Sequence, residues 1–393
     1  MLIRYKINEH GKRQAIAKVY TEQDYSMQLE ALDRDAVFII DKLKKNGFDA
    51  YIVGGAVRDL LLGKSPKDFD IATDASPKQI RKLFWNSRII GRRFKLVHIY
   101  FQEKIFEVST FRSSTIDPEQ GNNIYGTIEE DAKRRDFSIN GLYFDPIEKQ
   151  IVDYNDSFKD IKNRKMRSII PLHDTFIEDP VRMIRCIKYS VAGNFSIPFR
   201  LDRAIKKYAN ELARCSSSRM TEEVFKILQS GYSRLIVEKL LYYKLFVHIL
   251  PEISNQIGHG KNKIRTLEML DSLSTLDFLI KKNSVVSRAR MLAGLVDPFL
   301  VFPDEYENSL ALFRSVFKQI KQIISPITPP NYEVEKSVEY FFKHAGIKVP
   351  KNAVRKPVKN QPHKNQRQQF NRRKGSKGRK KVSPKREVPK PTN

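Results

Sequence analysis

The sequence has 393 residues and a formal net charge of +27, with 72 Lys and Arg against 45 Asp and Glu. This surplus indicates a polyanionic partner and argues against an acidic or neutral one. No run of about 18 apolar residues, no secretory signal and only two cysteines are present, so we expect no membrane span, no disulfide framework or Cys-based zinc site, and a reducing cytoplasmic setting.

The first predicted elements surround a glycine pair. Apolar residues near helical spacing predict a helix over residues 25–47, and a short strand follows over 49–53. Gly54 and Gly55 come next, and a helical run over 56–62 follows them. This order suits phosphate binding, because glycine lets the backbone approach an oxyanion and a helix start offers unpaired N–H groups. A plain tight turn is the alternative interpretation.

An aspartate pair follows a few residues later. Residues 67–71 alternate with the period of a strand, which places Asp68 and Asp70 on one face and Phe69 on the other. Adjacent carboxylates repel each other but suit Mg²⁺, which takes one or two carboxylates together with phosphate oxygens. The pair therefore predicts a two-metal site for in-line displacement at a triphosphate, with a solvated strand edge as the alternative. A P-loop is excluded, because Arg58 stands where that motif requires glycine.

Three motifs, in order, carry a resemblance to a known family. They are Gly54–Gly63 with Pro66–Asp70, then Glu129–Asn140, then Glu178–Arg185. Together they resemble the signatures of class II nucleotidyltransferases, which include bacterial poly(A) polymerases and CCA-adding tRNA nucleotidyltransferases. The resemblance implies an α+β fold, with an N-terminal nucleotidyltransferase head in which helices flank a small mixed β-sheet, followed by an all-α neck and body.

The resemblance also implies roles for single residues. Asp68 and Asp70 would hold two Mg²⁺ ions, and Asp136 would be a further active-site carboxylate that faces either metal or ribose. Glu107 is a candidate third metal ligand, because alternation over residues 104–111 places it on one face of a neighbouring strand. The residues expected to bind the nucleotide, ATP, are Gly54, Gly55, Arg58, Arg135, Asp179, Arg182 and Arg185. For Arg58, a surface ion pair is the alternative.

The third motif permits a chemical derivation. Asp179 before Pro180 suits a helix start, and Asp179, Arg182 and Arg185 step by three along one helical face. A carboxylate acceptor beside a guanidinium donor complements the Watson–Crick edge of adenine or cytosine, whereas guanine and uracil present the reverse order. The motif therefore predicts use of ATP and CTP and rejection of GTP and UTP.

The predicted organisation ends in a basic tail. We expect an N-terminal extension over residues 1–27, the catalytic head over 28–165, a helical nucleotide- and RNA-binding neck over 166–250, a helical body over 251–350 and a disordered tail over 351–393. The tail has 16 Lys and Arg, one acid and few aliphatic residues, so it cannot bury enough surface to fold alone. Its basic runs predict RNA binding through counterion release, with a solubilising or partner-binding arm as the alternative. The residues concerned are Arg372, Arg373, Lys374, Lys377, Arg379, Lys380 and Lys381.

Three features favour the poly(A) polymerase branch of the family. They are the stretch over residues 89–101, similar to a G-R-R-F-x-L-x-H pattern, the polar loop over 113–127 that leads into Glu129, and the basic tail. His98 in the first stretch is expected to be structural. The predicted function is template-independent addition of AMP from ATP to RNA 3′ ends, by a monomer with RNA-processing or decay factors as further partners. A CCA-adding enzyme and a non-catalytic RNA-binding protein are the alternatives.

Overall fold

The computed structural model describes residues 1–91, 96–116, 123–258, 262–282, 284–303, 305–351 and 353–354. Several sequence predictions therefore lie outside the described residues. They concern residues 92–95 of the stretch over 89–101, residues 117–122 of the polar loop, and the basic tail from residue 355 onward with its seven predicted RNA-binding residues.

Eleven strands occur in the described part of the chain. They are β1 (Leu2–Ile7), β2 (Arg13–Tyr20), β3 (Ala50–Val53), β4 (Asp70–Thr73), β5 (Ser87–Ile90), β6 (Leu96–Phe101), β7 (Lys104–Thr110), β8 (Arg112–Ile116), β9 (Asn123–Tyr125), β10 (Leu142–Asp145) and β11 (Gln150–Asp153). Strands β8 and β9 pair only with each other, whereas the other nine form one sheet in the order β1-β2-β11-β10-β3-β4-β7-β6-β5.

The large sheet is mixed, as predicted. Strands β4 and β7 are parallel, and the other neighbouring strands are antiparallel. Residues 1–27, expected as an extension before the head, contribute β1 and β2 to this sheet. The alternating burial of Ala17 and Val19 on β2 explains this placement, because both side chains gain a core contact only when the strand joins the sheet.

Sixteen α-helices occur in the described ranges. They are α1 (Arg34–Lys45), α2 (Gly55–Leu61), α3 (Pro77–Leu83), α4 (Ile128–Lys133), α5 (Ser157–Lys162), α6 (Leu172–Glu178), α7 (Val181–Ala192), α8 (Phe199–Tyr208), α9 (Ser217–Leu228), α10 (Ser233–Tyr242), α11 (Phe246–Ile249), α12 (Pro251–Gln256), α13 (Lys263–Lys281), α14 (Arg288–Val296), α15 (Ser309–Ile323) and α16 (Asn331–His344). From α6 onward the described chain contains helices and no strands, which agrees with the predicted fold class. No helix of the described residues is both long and apolar enough to cross a membrane.

Two boundaries differ from the sequence predictions for local reasons. The helix predicted from residue 25 begins at Arg34, because the Asp33 side chain accepts a hydrogen bond from the Asp35 N–H and caps the helix there. The strand predicted from residue 67 begins at Asp70, because pairing with β3 starts where Asp70 lies opposite Val53. Strand β3 is buried along its whole length. Gly54 therefore directly follows the last residue of a rigid central strand.

Candidate active site

A cleft of about 1040 Å³ opens where β3 ends and β4 begins, and helices α7 and α9 form its other wall. It is lined by residues of all three sequence motifs and by Glu107. Those predicted from the sequence are Gly54, Gly55, Arg58, Asp68, Asp70, Glu107, Arg135, Asp136, Asp179, Arg182 and Arg185. The fold therefore brings together every predicted site residue that lies in the described part of the chain.

The aspartate pair opens into this cleft. Phe69 and Ile71 are buried, while Asp68 and Asp70 are exposed, so the predicted alternation is confirmed. Ile71 lies beside Val108 in the parallel β4–β7 pair, which brings Asp70 next to Glu107. The pKa of Asp70 is raised to about 6, first because the cleft walls remove water around the carboxyl group and then because Glu107 and Asp68 repel its charge.

The donor set at this point fits Mg²⁺. No group of three or more His, Cys, Asp or Glu side chains in the described residues is arranged to hold a metal ion by itself. A carboxylate pair that shares its ions with substrate phosphates is nevertheless the usual arrangement for Mg²⁺. The negative charge that raises the pKa of Asp70 is also the charge that a cation would neutralise. Glu107 Oε1 lies 3.3 Å from His98 Nε2. The role of Glu107 as a third metal ligand stays a prediction.

Gly54 is required by the turn that follows β3. Its backbone has φ +70° and ψ −128°, a conformation that residues with a side chain rarely adopt. A Cβ atom at this position would lie 3.7 Å from Arg135 Nη1 and 4.0 Å from Asp70 Oδ2. The backbone conformation of the turn therefore requires glycine, whereas a Cβ atom would meet these two side chains only at ordinary contact distances.

Two arginines of the head are held at the cleft wall by fixed partners. Arg58 donates from Nε to Asp59 at 2.9 Å and from Nη1 to Asn140 Oδ1 at 2.8 Å. The predicted ion-pair alternative for Arg58 is thus present, and it orients a guanidinium that also lines the cleft. Arg135 donates to the Tyr143 hydroxyl and to Asp131, both at 3.0 Å. These bonds leave both guanidinium groups little freedom to rotate away from the cleft.

Asp136 connects the head to α7. Its Oδ2 accepts a hydrogen bond from Arg185 Nε at 2.8 Å, and its Oδ1 accepts from the backbone N–H of Phe137 at 2.8 Å. Burial alone would raise the pKa of Asp136, but the Arg185 guanidinium and these hydrogen bonds hold it below the usual value. Arg185 Nη1 also lies 3.8 Å from Glu223 Oε1, so one arginine stands between two carboxylates.

Asp179 and Arg182 lie at the start of α7. The expected side-chain cap is absent: Asp179 Oδ2 instead accepts from Arg219 Nη2 at 2.7 Å, because α9 packs beside this turn. Asp179 Oδ1 is buried and has no hydrogen-bond partner. Arg182 donates from Nη1 to the Thr175 carbonyl at 3.1 Å. The start of α7 thus carries an unpaired, buried acceptor and an oriented guanidinium donor, and their role in base recognition stays a prediction.

Sequence reasoning missed several residues of the cleft wall. Lys188 donates to Glu223 at 2.6 Å, and burial lowers the pKa of Lys188 to about 8 despite this partner. Tyr189 lies 4.9 Å from the Arg58 guanidinium and 5.3 Å from that of Arg185, measured to the ring centroid. Helical spacing from Arg185 would have found Tyr189, four residues later on α7. Glu223 comes from α9, and no local signal in the sequence places α9 against α7.

The chain is similar to several known proteins. Residues 50–167 match the family described as poly A polymerase head domain, and residues 194–257 match one described as probable RNA and SrmB-binding site of polymerase A. Poly(A) polymerase I of Haemophilus influenzae is 38% identical over 66% of this chain and 61% of its own length. Poly(A) polymerase I of Escherichia coli O157:H7 is also 38% identical, over 73% of this chain and 66% of its own length.

CCA-adding enzymes are also similar to the chain. The enzyme of Lactobacillus helveticus is 30% identical over 76% of this chain and 74% of its own length. The solved structure of the Bacillus stearothermophilus CCA-adding enzyme in complex with CTP shares the fold, with a TM-score of 0.53, 24% identity and coverage of 80% of this chain and 83% of that one. The chain spans 61% to 66% of the length of the two poly(A) polymerases. It belongs to the nucleotidyltransferase family that contains the bacterial poly(A) polymerases and the CCA-adding enzymes.

Proposed function

We propose that the protein is a template-independent poly(A) polymerase that transfers AMP from ATP to RNA 3′ ends and releases pyrophosphate. The observation that carries this proposal is the order of similarity, because the poly(A) polymerases named above are 38% identical to the chain and the CCA-adding enzyme is 30% identical. The accompanying proposals are that RNA is the acceptor, that the enzyme acts as a cytoplasmic monomer, and that RNA-processing or decay factors are its partners.

The cleft supports this chemistry residue by residue. Arg58 and Arg135 supply positive charge for the triphosphate, while Asp179 and Arg182 offer an acceptor and a donor to the adenine edge. The RNA 3′-oxygen forms a bond to the α-phosphorus as the bond from that phosphorus to the leaving pyrophosphate breaks. Asp68 and Asp70 would hold Mg²⁺, which when bound activates the attacking oxygen and neutralises charge on the leaving group. Asp136 would keep Arg185 in place at the cleft wall.

Replacing Asp70 tests the assignment of the carboxylate pair. We expect Asp70→Asn to lower the rate of AMP transfer by about a thousandfold or more, since metal-assisted charge stabilisation contributes several kcal/mol to such reactions. The measurement is incorporation of labelled AMP into an RNA oligonucleotide, with binding of the same oligonucleotide measured in parallel. Asp74→Asn is the matched control, because Asp74 is an exposed aspartate just beyond the other end of β4. Unchanged transfer by Asp70→Asn would contradict the assignment.

CCA addition is the second candidate function. It has support of its own, because the chain covers 74% of the Lactobacillus helveticus enzyme and because cytosine presents the same order of donor and acceptor as adenine. Such an enzyme would need CTP and would stop after completing the tRNA end. The choice of nucleotide and acceptor therefore separates the two candidates.

A further inference from the structure

The cleft extends along helix α7 from its first turn to its last. Asp179 and Arg182 lie at the start of this helix, whereas Ala192 at its last turn accepts a hydrogen bond from Lys64 Nζ at 2.5 Å. Ten residues separate Arg182 from Ala192, and at the rise of an α-helix these positions are roughly 15 Å apart. Because both ends line the same cleft, the cleft extends well beyond the residues that face the base of the incoming nucleotide.

An aromatic ring with two lysines beside it lies at the far end. The centroid of the Tyr232 ring lies 4.6 Å from Lys281 Nζ and 5.8 Å from Lys64 Nζ. Gly231 before it has φ +76°, and this left-handed turn between α9 and α10 directs Tyr232 toward the cleft. Lys64 lines the cleft, and Lys281 is an exposed residue beside the Tyr232 ring, next to the lining residue Ile280.

A row of cations leads from the aspartate pair to Tyr232. Lys226 on α9 lines the same cleft as Asp70. One turn later the Gln229 carbonyl accepts a hydrogen bond from Lys67 Nζ at 3.1 Å, and Tyr232 follows three residues after Gln229. The lining residues contributed by the chain from Lys226 onward include no acidic side chain, whereas the catalytic end has several. Positive side chains therefore predominate in the lining toward Tyr232, whereas acidic and basic side chains are mixed around the aspartate pair.

A positively charged groove that contains an aromatic ring is the arrangement that binds single-stranded nucleic acid without sequence preference. We propose that Tyr232, Lys64 and Lys281 form the subsite for the 3′-terminal part of the RNA acceptor, with the ring stacked on a base and the ammonium groups on phosphates. This inference rests on the proposed function. It places the acceptor at the end of α7 opposite Asp179, so that the RNA 3′ end and the nucleotide reach the aspartate pair from opposite sides.

Replacing Tyr232 separates acceptor binding from nucleotide binding. We expect Tyr232→Ala to raise the KM for a hexaadenylate acceptor by about tenfold at saturating ATP, the usual size of a lost base–aromatic stack. The KM for ATP should change by less than about twofold, and Tyr232→Phe should restore the acceptor KM because its ring still stacks. Tyr242→Ala is the matched control, since Tyr242 is also on the α10 segment, also lies beside a lysine at 4.8 Å, and does not line the cleft.

Lys281→Ala gives a second test that does not depend on Tyr232. Removal of one phosphate contact should weaken equilibrium binding of hexaadenylate and reduce by about one the slope of the logarithm of its affinity against the logarithm of salt concentration. An unchanged acceptor KM in Tyr232→Ala, or an unchanged salt slope in Lys281→Ala, would overturn the subsite. Both variants are compared with the wild-type protein, whose AMP transfer is measured in the same experiment. A wild-type protein that binds hexaadenylate but incorporates no AMP would contradict the proposed function and not the subsite.

Discussion

At the scale of single residues, the contact between Asp136 and Arg185 joins the proposed catalytic site to the stability of the fold. Asp136 is buried in the head and Arg185 belongs to α7, so their hydrogen bond at 2.8 Å joins two parts of the chain across the cleft. Asp136 makes this bond with Oδ2 while Oδ1 is committed to Phe137 and Asn140. Both oxygens therefore have protein partners, which favours a positioning role for Asp136 through Arg185 over direct contact with a metal ion.

Asp136→Asn should destabilise the fold in a way that depends on pH. Loss of a buried charge beside Arg185 is expected to lower the free energy of unfolding by about 3 kcal/mol at pH 7. This value is at the lower end of the range for broken buried ion pairs, because Glu223 still lies near Arg185. The folded-state pKa of Asp136 is depressed, so its stabilisation is present above the unfolded value of about 3.9 and is lost as pH falls through the folded value.

Urea unfolding of both proteins at pH 7 and pH 3 measures this dependence. The difference in the free energy of unfolding between wild type and Asp136→Asn should be large at pH 7 and should narrow at pH 3. A difference that stays constant across this range would show that the carboxylate charge of Asp136 does not stabilise the fold.

At the scale of elements, the packing of α9 against the start of α7 fixes the residues that we propose recognise the base. Arg219 on α9 holds Asp179 Oδ2 at 2.7 Å, and this leaves the buried Oδ1 as the free acceptor. Because an acceptor must point in a fixed direction to distinguish an amino group from a carbonyl oxygen, the ion pair contributes to selectivity without touching the nucleotide.

Arg219→Gln should therefore reduce selectivity more than it reduces stability. We expect the ratio of kcat/KM for ATP over GTP to fall by about tenfold, since an acceptor that can rotate no longer rejects the guanine carbonyl. Arg214→Gln is the control, because Arg214 is an exposed arginine that pairs with Glu211 at 3.0 Å in the same segment. An unchanged ATP-to-GTP ratio in Arg219→Gln would contradict this role of the ion pair.

Local signals predicted the parts of the site that depend on neighbouring residues. The alternation around Phe69 predicted the common face of Asp68 and Asp70, and the strand–glycine–helix order predicted the turn at Gly54. Signals of this kind failed at Asp179, where a typical capping pattern was overridden by Arg219, which lies 40 residues away in the chain. The same limit applies to Glu223 and Tyr232, because the contacts of Glu223 with α7 and the place of Tyr232 in the cleft depend on how α9 and α10 pack.

At the scale of the whole molecule, the cleft explains how part of the net charge of +27 is used. Acidic residues concentrate where β3 and β4 meet, arginines surround them, and Lys226, Lys67 and Lys64 lie toward Tyr232. This distribution suits the proposed binding of a metal-bound triphosphate at one end and of an RNA backbone at the other. The protein should therefore bind its two substrates at opposite ends of one cleft.

Extension of RNA with single nucleotides tests the central claim most directly. The full chain is incubated with Mg²⁺, one nucleoside triphosphate at a time, and either a generic RNA oligonucleotide or a tRNA that lacks its CCA end. Poly(A) polymerase activity predicts a long ladder of products from ATP on the generic RNA. Addition that requires CTP, is restricted to the tRNA and stops after three nucleotides would contradict it and identify a CCA-adding enzyme.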